Sequence, residues 1–185
     1  LLLNGEPVYL KGFGRHEDFY VSGRGLNEPL IVKDYSLMKW IGANSYRTSH
    51  YPYSEEEMRI ADREGMLIID EIPAVSLNFL GSESDLATRL AMCKQQLEEL
   101  VARDKNHPSV IMWSVANEPF GGMITRMLGQ DVPDDYETRG LNFLNELITL
   151  AHKLDTTRPA TLVGIMTGPV EWIDLADVVL INRYY

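Results

Sequence analysis

Residues 110–119, VIMWSVANEP, run apolar for most of their length and then stop on Asn117, Glu118 and Pro119. A short, branched, apolar run is what a strand buried on both faces requires, and such strands belong to parallel sheets covered by helices. MLIID (66–70), ATLVGIM (160–166) and VVLIN (178–182) read the same way. With VYLKGF (8–13) and ANSYRTS (43–49) they make six candidate parallel strands.

Helical patterns lie between them, over residues 30–41, 54–64, 86–103 and 136–154, with a short turn over 171–176. The second has the clearest ends: Ser54 with Glu57 three residues later is expected to form a capping box, Glu55 and Glu56 suit the positive helix end, and Gly65 terminates it. The fourth lines up Phe143, Leu147, Ala151 and Leu154 on one face, the stripe of a helix packed on a sheet. Residues 120–135, FGGMITRMLGQDVPDD, read as a turn-rich loop beside Glu118.

Strand and helix alternate without a break, which predicts an α/β fold, either an open doubly wound sheet or a closed TIM (β/α)8 barrel. The first of these usually carries a glycine-rich phosphate loop after strand one. GFGRHE has Gly12 and Gly14 but Glu17 where the third glycine belongs, so no nucleotide site is expected there.

The 185 residues, 45% of them hydrophobic, are enough for one core. Seventeen basic residues against 27 acidic ones give a net charge of −10, which disfavours a nucleic acid partner. No apolar run nears the roughly 20 residues needed to span a membrane, so no membrane partner is expected. The start LLLNGEPVYLKG lacks the layout of a signal peptide, and no glycosylation sequon occurs. The compartment stays unassigned, with the cytoplasm favoured. The single cysteine, Cys93, stands at helical spacing with Leu86, Leu90, Leu97 and Leu100 and is expected in the core.

Polar residues follow the strands at their C-terminal ends: Arg15, His16, Glu17 and Asp18 after the first, Arg47 and His50 after the second, Asp70 and Glu71 after the third. Asn117 and Glu118 follow the fourth, and Asn182, Arg183, Tyr184 and Tyr185 close the sixth. Parallel strands of a barrel present these ends on one face, where active sites assemble. A carboxylate beside a tight apolar strand is costly to ionise, which suits Glu118 to general acid work, and Asn117 could hold a substrate hydroxyl. The plainer alternative is that Glu118 caps the following segment. For Arg47, His50, Asp70 and Glu71 a supporting role is expected, since charged groups converging in a barrel mouth usually hold one another in place. The His16–Glu17–Asp18 run could suggest a metal, but three adjacent side chains cannot all point inward from one strand, so a metal is not expected at this run.

At these residues the chain resembles a known family. GRHEDFYVSGRG, WIGANSYRTSHYPYSEE, LIIDE, ARDKNHPSVIMWSVANEP and LINRYY are similar, in this order, to the barrel domain of the β-glucuronidases of glycoside hydrolase family 2, and more to bacterial than animal forms. The resemblance covers essentially all 185 residues. It implies retaining hydrolysis of a β-glucuronide by two carboxylates roughly 5 Å apart, one acid/base and one nucleophile. Glu118 matches the acid/base and Asn117 the residue that binds the 2-hydroxyl. His16 matches a wall of the sugar subsite, Tyr184 the tyrosine near the nucleophile, and Met166 a residue on the aglycone side. No cofactor or metal is implied, and family members commonly assemble as tetramers.

The family's nucleophile sits on the seventh strand in a motif like TEYG, which does not occur in this chain. The residues 1–185 are therefore expected to be a partial barrel of about six β/α units, without the last two strands, the two preceding sandwich domains, and the Asn and Lys that recognise the glucuronate carboxylate. Such a fragment alone is expected to be inactive. IPAVSLNFLGSESDLATR, after the third strand, is short where some bacterial relatives carry a long loop, which implies an open mouth. Another family 2 glycosidase, a β-galactosidase or β-mannosidase, and a non-catalytic carbohydrate-binding fragment stay open as alternatives.

Overall fold

The computed structural model describes residues 1–184. Six parallel strands form one curved sheet: β3 (Gly12–Arg15), β4 (Ser45–Thr48), β5 (Leu67–Glu71), β6 (Val110–Asn117), β7 (Ala160–Ile165) and β8 (Leu180–Asn182). A small antiparallel hairpin, β1 (Leu2–Leu3) and β2 (Glu6–Pro7), precedes them. The helices are α1 (Glu28–Trp40), α2 (Glu55–Glu64), α3 (Glu83–Asp104), α4 (Gly122–Met127), α5 (Tyr136–Leu154) and α6 (Val170–Ile173).

Sheet order follows chain order, β3-β4-β5-β6-β7-β8, every pair parallel. A doubly wound sheet would reverse direction at a switch point, and none occurs among these strands, so the architecture is an incomplete TIM barrel.

Burial on both faces explains the continuous apolar runs. On β5 the side chains alternate: Ile68 joins the large core under the helices, with Ile31, Met58, Leu97, Trp113 and Leu147. Leu67 and Ile69 join Ile111, Met112, Val8, Leu10 and Leu180 in a smaller cluster on the other face. Cys93 lies in the main core, and burial pushes its thiol up.

Three local expectations change. The first strand is Gly12–Arg15, later than VYLKGF. Asn44 is the cause: its side chain accepts from Lys11 N (2.7 Å) and donates to Tyr9 O (2.9 Å), pinning that stretch ahead of the ladder. Gly12 can then lie against β4, where a Cβ would overlap the Ser45 carbonyl. The Asn4-Gly5 hairpin, with φ of 53° and 84° at its two turn residues, has strands of two residues each, too short to carry a period in the sequence.

The cap of α2 is also different. Ser54 Oγ accepts from Glu57 N (3.2 Å), but Glu57 is fully buried and accepts from Arg15 (2.9 Å). Glu17 completes the cap instead, accepting from Ser54 N (3.0 Å) and Oγ (2.6 Å). The reciprocal Ser–acid box occurs at Ser82 and Asp85, opening α3. Finally, residues 120–135 contain α4, where a loop was expected. Tyr136 secures it from outside: its hydroxyl donates to Phe120 O (2.9 Å) and lies 2.9 Å from Thr125 Oγ1, contacts no local pattern announces.

Candidate active site

All eight residues of β6 are buried, and the strand ends in a backbone clamp. Asn117 N donates to Ala74 O (2.9 Å), Ser76 N to Asn117 O (2.8 Å), and Glu118 N to Val163 O (2.7 Å). The clamp holds Glu118 at φ 48°, a left-handed conformation that a long side chain rarely adopts. Such strain, of order 1 kcal/mol, persists only where the surroundings over-determine it. It throws the Glu118 carboxylate onto the C-terminal face of the sheet, half-exposed, next to buried Asn117.

Glu118 Oε1 accepts from Asn182 Nδ2 (2.8 Å) and Tyr184 Oη (2.5 Å). Asn182 Nδ2 also donates to Asn117 Oδ1 (3.1 Å), so one carboxamide links the two residues at the end of β6. Two hydrogen-bond donors thus meet one oxygen of the carboxylate, where the strand led to an expectation of apolar walls. The bond to Glu118 holds the Tyr184 phenol above its ordinary value, and Arg47 biases it the other way.

A second group lies on the same concave face. Arg47 Nη1 donates to both oxygens of fully buried Glu71 (2.6 and 2.7 Å), and Ser114 Oγ donates to Glu71 Oε2 (2.7 Å). His50 Nδ1 stands 2.8 Å from Glu71 Oε1. The His16 ring meets His50 edge-on at 5.4 Å. Arg47 and Asn182 line one interior cleft of about 320 Å3, with Ile69 and Val163 deeper in the sheet.

The structure therefore brings together Glu118, Asn117 and Tyr184, and beside them His16, Arg47, His50 and Glu71. Asp70 is placed elsewhere. Side chains alternate along a strand, so when Glu71 faces inward Asp70 must face the helices. There it accepts from Thr48 Oγ1 (3.0 Å) and lies against Asp104 of α3, both fully buried. Burial, then the Asp104 charge, push its carboxyl well above the usual range. Met166 shares the C-terminal face but stands exposed in the turn after β7, outside the Glu118 hydrogen-bond group. Tyr185 lies outside the described residues. His16 and Glu17 diverge to different partners, and no metal-ligating group of three occurs among the described residues.

Two members were not assigned from the sequence. Asn182 had the signal, a polar residue closing a strand. Ser114 had none, since an inward serine within an apolar strand is legible only from register.

A parallel-barrel chain with a strained carboxylate, a carboxamide and a phenol at its strand ends has the layout of a barrel active site. The family model for the TIM barrel domain of glycosyl hydrolases family 2 matches residues 1–185, and the chain belongs to that family. It is 47% identical over 199 residues to a β-glucuronidase of Streptococcus agalactiae, covering 100% of this chain and 31% of that protein. It is 40% identical to the human β-glucuronidase, covering 100% of this chain and 26% of that one. The Bifidobacterium dentium β-glucuronidase complexed with coumarin-3-O-glucuronide superimposes with a TM-score of 0.85 at 42% identity, over 100% of this chain and 28% of that one. A Ruminococcus gnavus β-glucuronidase in complex with a C6-substituted uronic isofagomine gives 0.84 at 40%, over 100% and 30%. The chain spans less than a third of the length of these relatives.

Proposed function

We propose that this chain supplies the acid/base half of a retaining β-glucuronidase. The observation that carries the reading is the Glu118 carboxylate, strained onto the C-terminal face and held there by Asn182 and Tyr184. Relatives named β-glucuronidase over the chain's whole length support the sugar.

Glu118 protonates the glycosidic oxygen as the aglycone leaves, then takes a proton from the water that releases the sugar. Both steps need a carboxyl fixed in place yet open to solvent on one side, and the paired bonds to a single oxygen leave Oε2 free of these two donors. Asn117, its Oδ1 engaged by Asn182, presents its amide N–H2 toward a sugar hydroxyl, a contact that strengthens as the oxocarbenium-like state develops. His16 walls the sugar site and Met166 the aglycone side. Arg47, His50 and Glu71 brace one another beneath. Asp70 has no part in this site. The nucleophile comes from sequence beyond these 185 residues, as do the groups that bind the glucuronate carboxylate, so the 185-residue chain alone shows no turnover.

Hydrolysis of p-nitrophenyl β-glucuronide, β-galactoside and β-mannoside by the full-length protein tests the reading. Turnover confined to the glucuronide and lost in Glu118→Gln is expected. Preference for another sugar would discard the substrate, and full activity in Glu118→Gln would discard the acid.

A further inference from the structure

Glu71, at the end of β5, is a carboxylate with nothing left to offer a ligand. Arg47 Nη1 reaches both of its oxygens (2.6 and 2.7 Å), Ser114 Oγ donates to Oε2 (2.7 Å), and His50 Nδ1 stands 2.8 Å from Oε1. Its backbone N–H donates to Thr48 Oγ1 (2.9 Å), so the main chain is tied as well. The group opens to the mouth through one member. The His50 side chain is 24% exposed, that of Arg47 10% and that of Glu71 not at all.

The hydrogens available decide which nitrogen of His50 carries a proton. His50 Nδ1 faces Glu71 Oε1 and, at 3.1 Å, Arg47 Nη1. A terminal guanidinium nitrogen has two hydrogens, and Arg47 Nη1 directs them at the two oxygens of Glu71. None remains for His50, and a bare lone pair on Nδ1 would face a carboxylate oxygen at 2.8 Å with no hydrogen between them. Nδ1 is therefore the donor to Glu71, and the neutral ring carries its lone pair on Nε2. Among the described residues no hydrogen bond reaches Nε2. The His16 ring, edge-on at 5.4 Å, steadies the imidazole from just beyond β3.

This group stands beside the acid. Ser114 lies three residues before Asn117 on β6. Arg47 and Asn182 line one cleft, and Asn182 Nδ2 is 2.8 Å from Glu118 Oε1. The Tyr184 phenol, bonded to Glu118, also feels the Arg47 charge.

We propose that His50 binds substrate, its Nε2 accepting a hydrogen bond from a ring hydroxyl of the sugar, and that Glu71 is the positioning residue that holds His50 in the tautomer this contact needs. The hydroxyl is one other than the 2-hydroxyl assigned to Asn117. The identity of the sugar rests on the reading given under Proposed function; the tautomer does not.

Two measurements on the full-length protein test the two halves. In protein carrying 13C-labelled histidine, with the His50 signal identified by its loss in His50→Ala, the ring carbon shifts at pH 8 should be those of a neutral imidazole protonated on Nδ1. A signature of the Nε2–H tautomer, or of a ring still protonated on both nitrogens, overturns the assignment. The contact is read with p-nitrophenyl β-glucuronides bearing fluorine in place of the 3- or the 4-hydroxyl, since fluorine cannot donate to Nε2. At one of these positions fluorine should cost the wild type about tenfold more in kcat/KM than it costs His50→Ala, the worth of one hydrogen bond. Equal costs in both proteins at both positions overturn the contact. Glu71→Ala should randomise the tautomer and shrink the same excess cost; an unchanged His50 signature and an unchanged excess would free Glu71 of its role. Both wild-type readouts and His50→Ala decide the proposal even where Glu71→Ala fails to fold. Absence of glucuronide turnover would instead discard the sugar named under Proposed function, leaving the tautomer standing and moving the fluorine comparison to the glycoside that is hydrolysed.

Discussion

The two ends of β6 are built from similar residues to opposite ends. At its N-terminal end, Asp62 Oδ2 lies 2.6 Å from His107 Nδ1, while Asp62 Oδ1 accepts from Ser109 N (3.0 Å). Nearby, Asp155 accepts from Trp113 Nε1 (3.1 Å), Thr157 N (2.8 Å) and Arg158 Nη1 (2.7 Å). Burial would push both carboxyls up, but these hydrogen bonds outweigh it and hold both below the usual carboxylate range. At the C-terminal end, Glu118 is half-exposed, strained, and held through one oxygen. An acid whose acceptors are all engaged stabilises the fold and offers nothing to a ligand. One left partly open costs stability and keeps a capacity to react.

The sharpest way to break this contrast is Glu118→Gln in the full-length protein. Glucuronide turnover should fall about 10²- to 10⁴-fold, the usual worth of a general acid/base, with thermal stability nearly unchanged. A large drop in melting temperature would move Glu118 to the structural side. Asp155→Ala should do the reverse, costing about 2 to 4 kcal/mol in denaturant unfolding because it leaves Arg158 Nη1 and the Trp113 indole N–H without their acceptor. Because the folded Asp155 carboxyl is held low, its contribution is complete above the ordinary carboxylate range, near pH 4, and is lost as pH falls further. An acid limb of the stability curve that persists unaltered in Asp155→Ala would contradict this assignment.

Asp70 sharpens the comparison from the other side, since its folded-state carboxyl is raised. The folded protein there keeps a proton that the unfolded chain gives up, so stability declines as pH rises from about 4 toward the raised value. Asp70→Asn keeps the acceptor for Thr48 and removes the charge. Unfolding at pH 7 to 8 should become about 1 to 3 kcal/mol harder, with a flatter pH dependence in that range. Stability equal to wild type at every pH would sink the account of a raised Asp70 carboxyl. Smallest is Tyr184→Phe: stability within about 0.5 kcal/mol, as for other exposed positions, and kcat/KM down about tenfold through a less well-held Glu118. Unchanged kinetics would release Tyr184 from the site.

Much of this was legible in advance because parallel-sheet strands announce themselves. The run 110–117 reads as a strand buried on both faces, and five similar runs with helices between them imply an α/β fold, which the family resemblance narrows to a barrel. The polar punctuation after each run marked the C-terminal face, and Asn117, Glu118, Arg47, His50 and Glu71 all came from it. The errors share one cause. VYLKGF, the Ser54–Glu57 cap and the loop over 120–135 are readings from neighbours in sequence, whereas Asn44, Glu17 and Tyr136 decide these segments from 33, 37 and 16 residues away.

Sequence alone thus determined the class of fold, the family, and which face carries the chemistry, because hydrophobic period and strand-end composition are local properties that survive without coordinates. Only the tertiary structure decided which acid does what. Asp70 and Glu71 are adjacent and chemically alike, yet the pleat sends one to the helices and the other to the mouth. Glu118 differs from the acids at the far end of its own strand in backbone strain and, among the described residues, in being held through one oxygen. Orientation and the number of partners are set by the register and curvature of the sheet, which bring residues 117, 118, 182 and 184 together, and no stretch of sequence contains them.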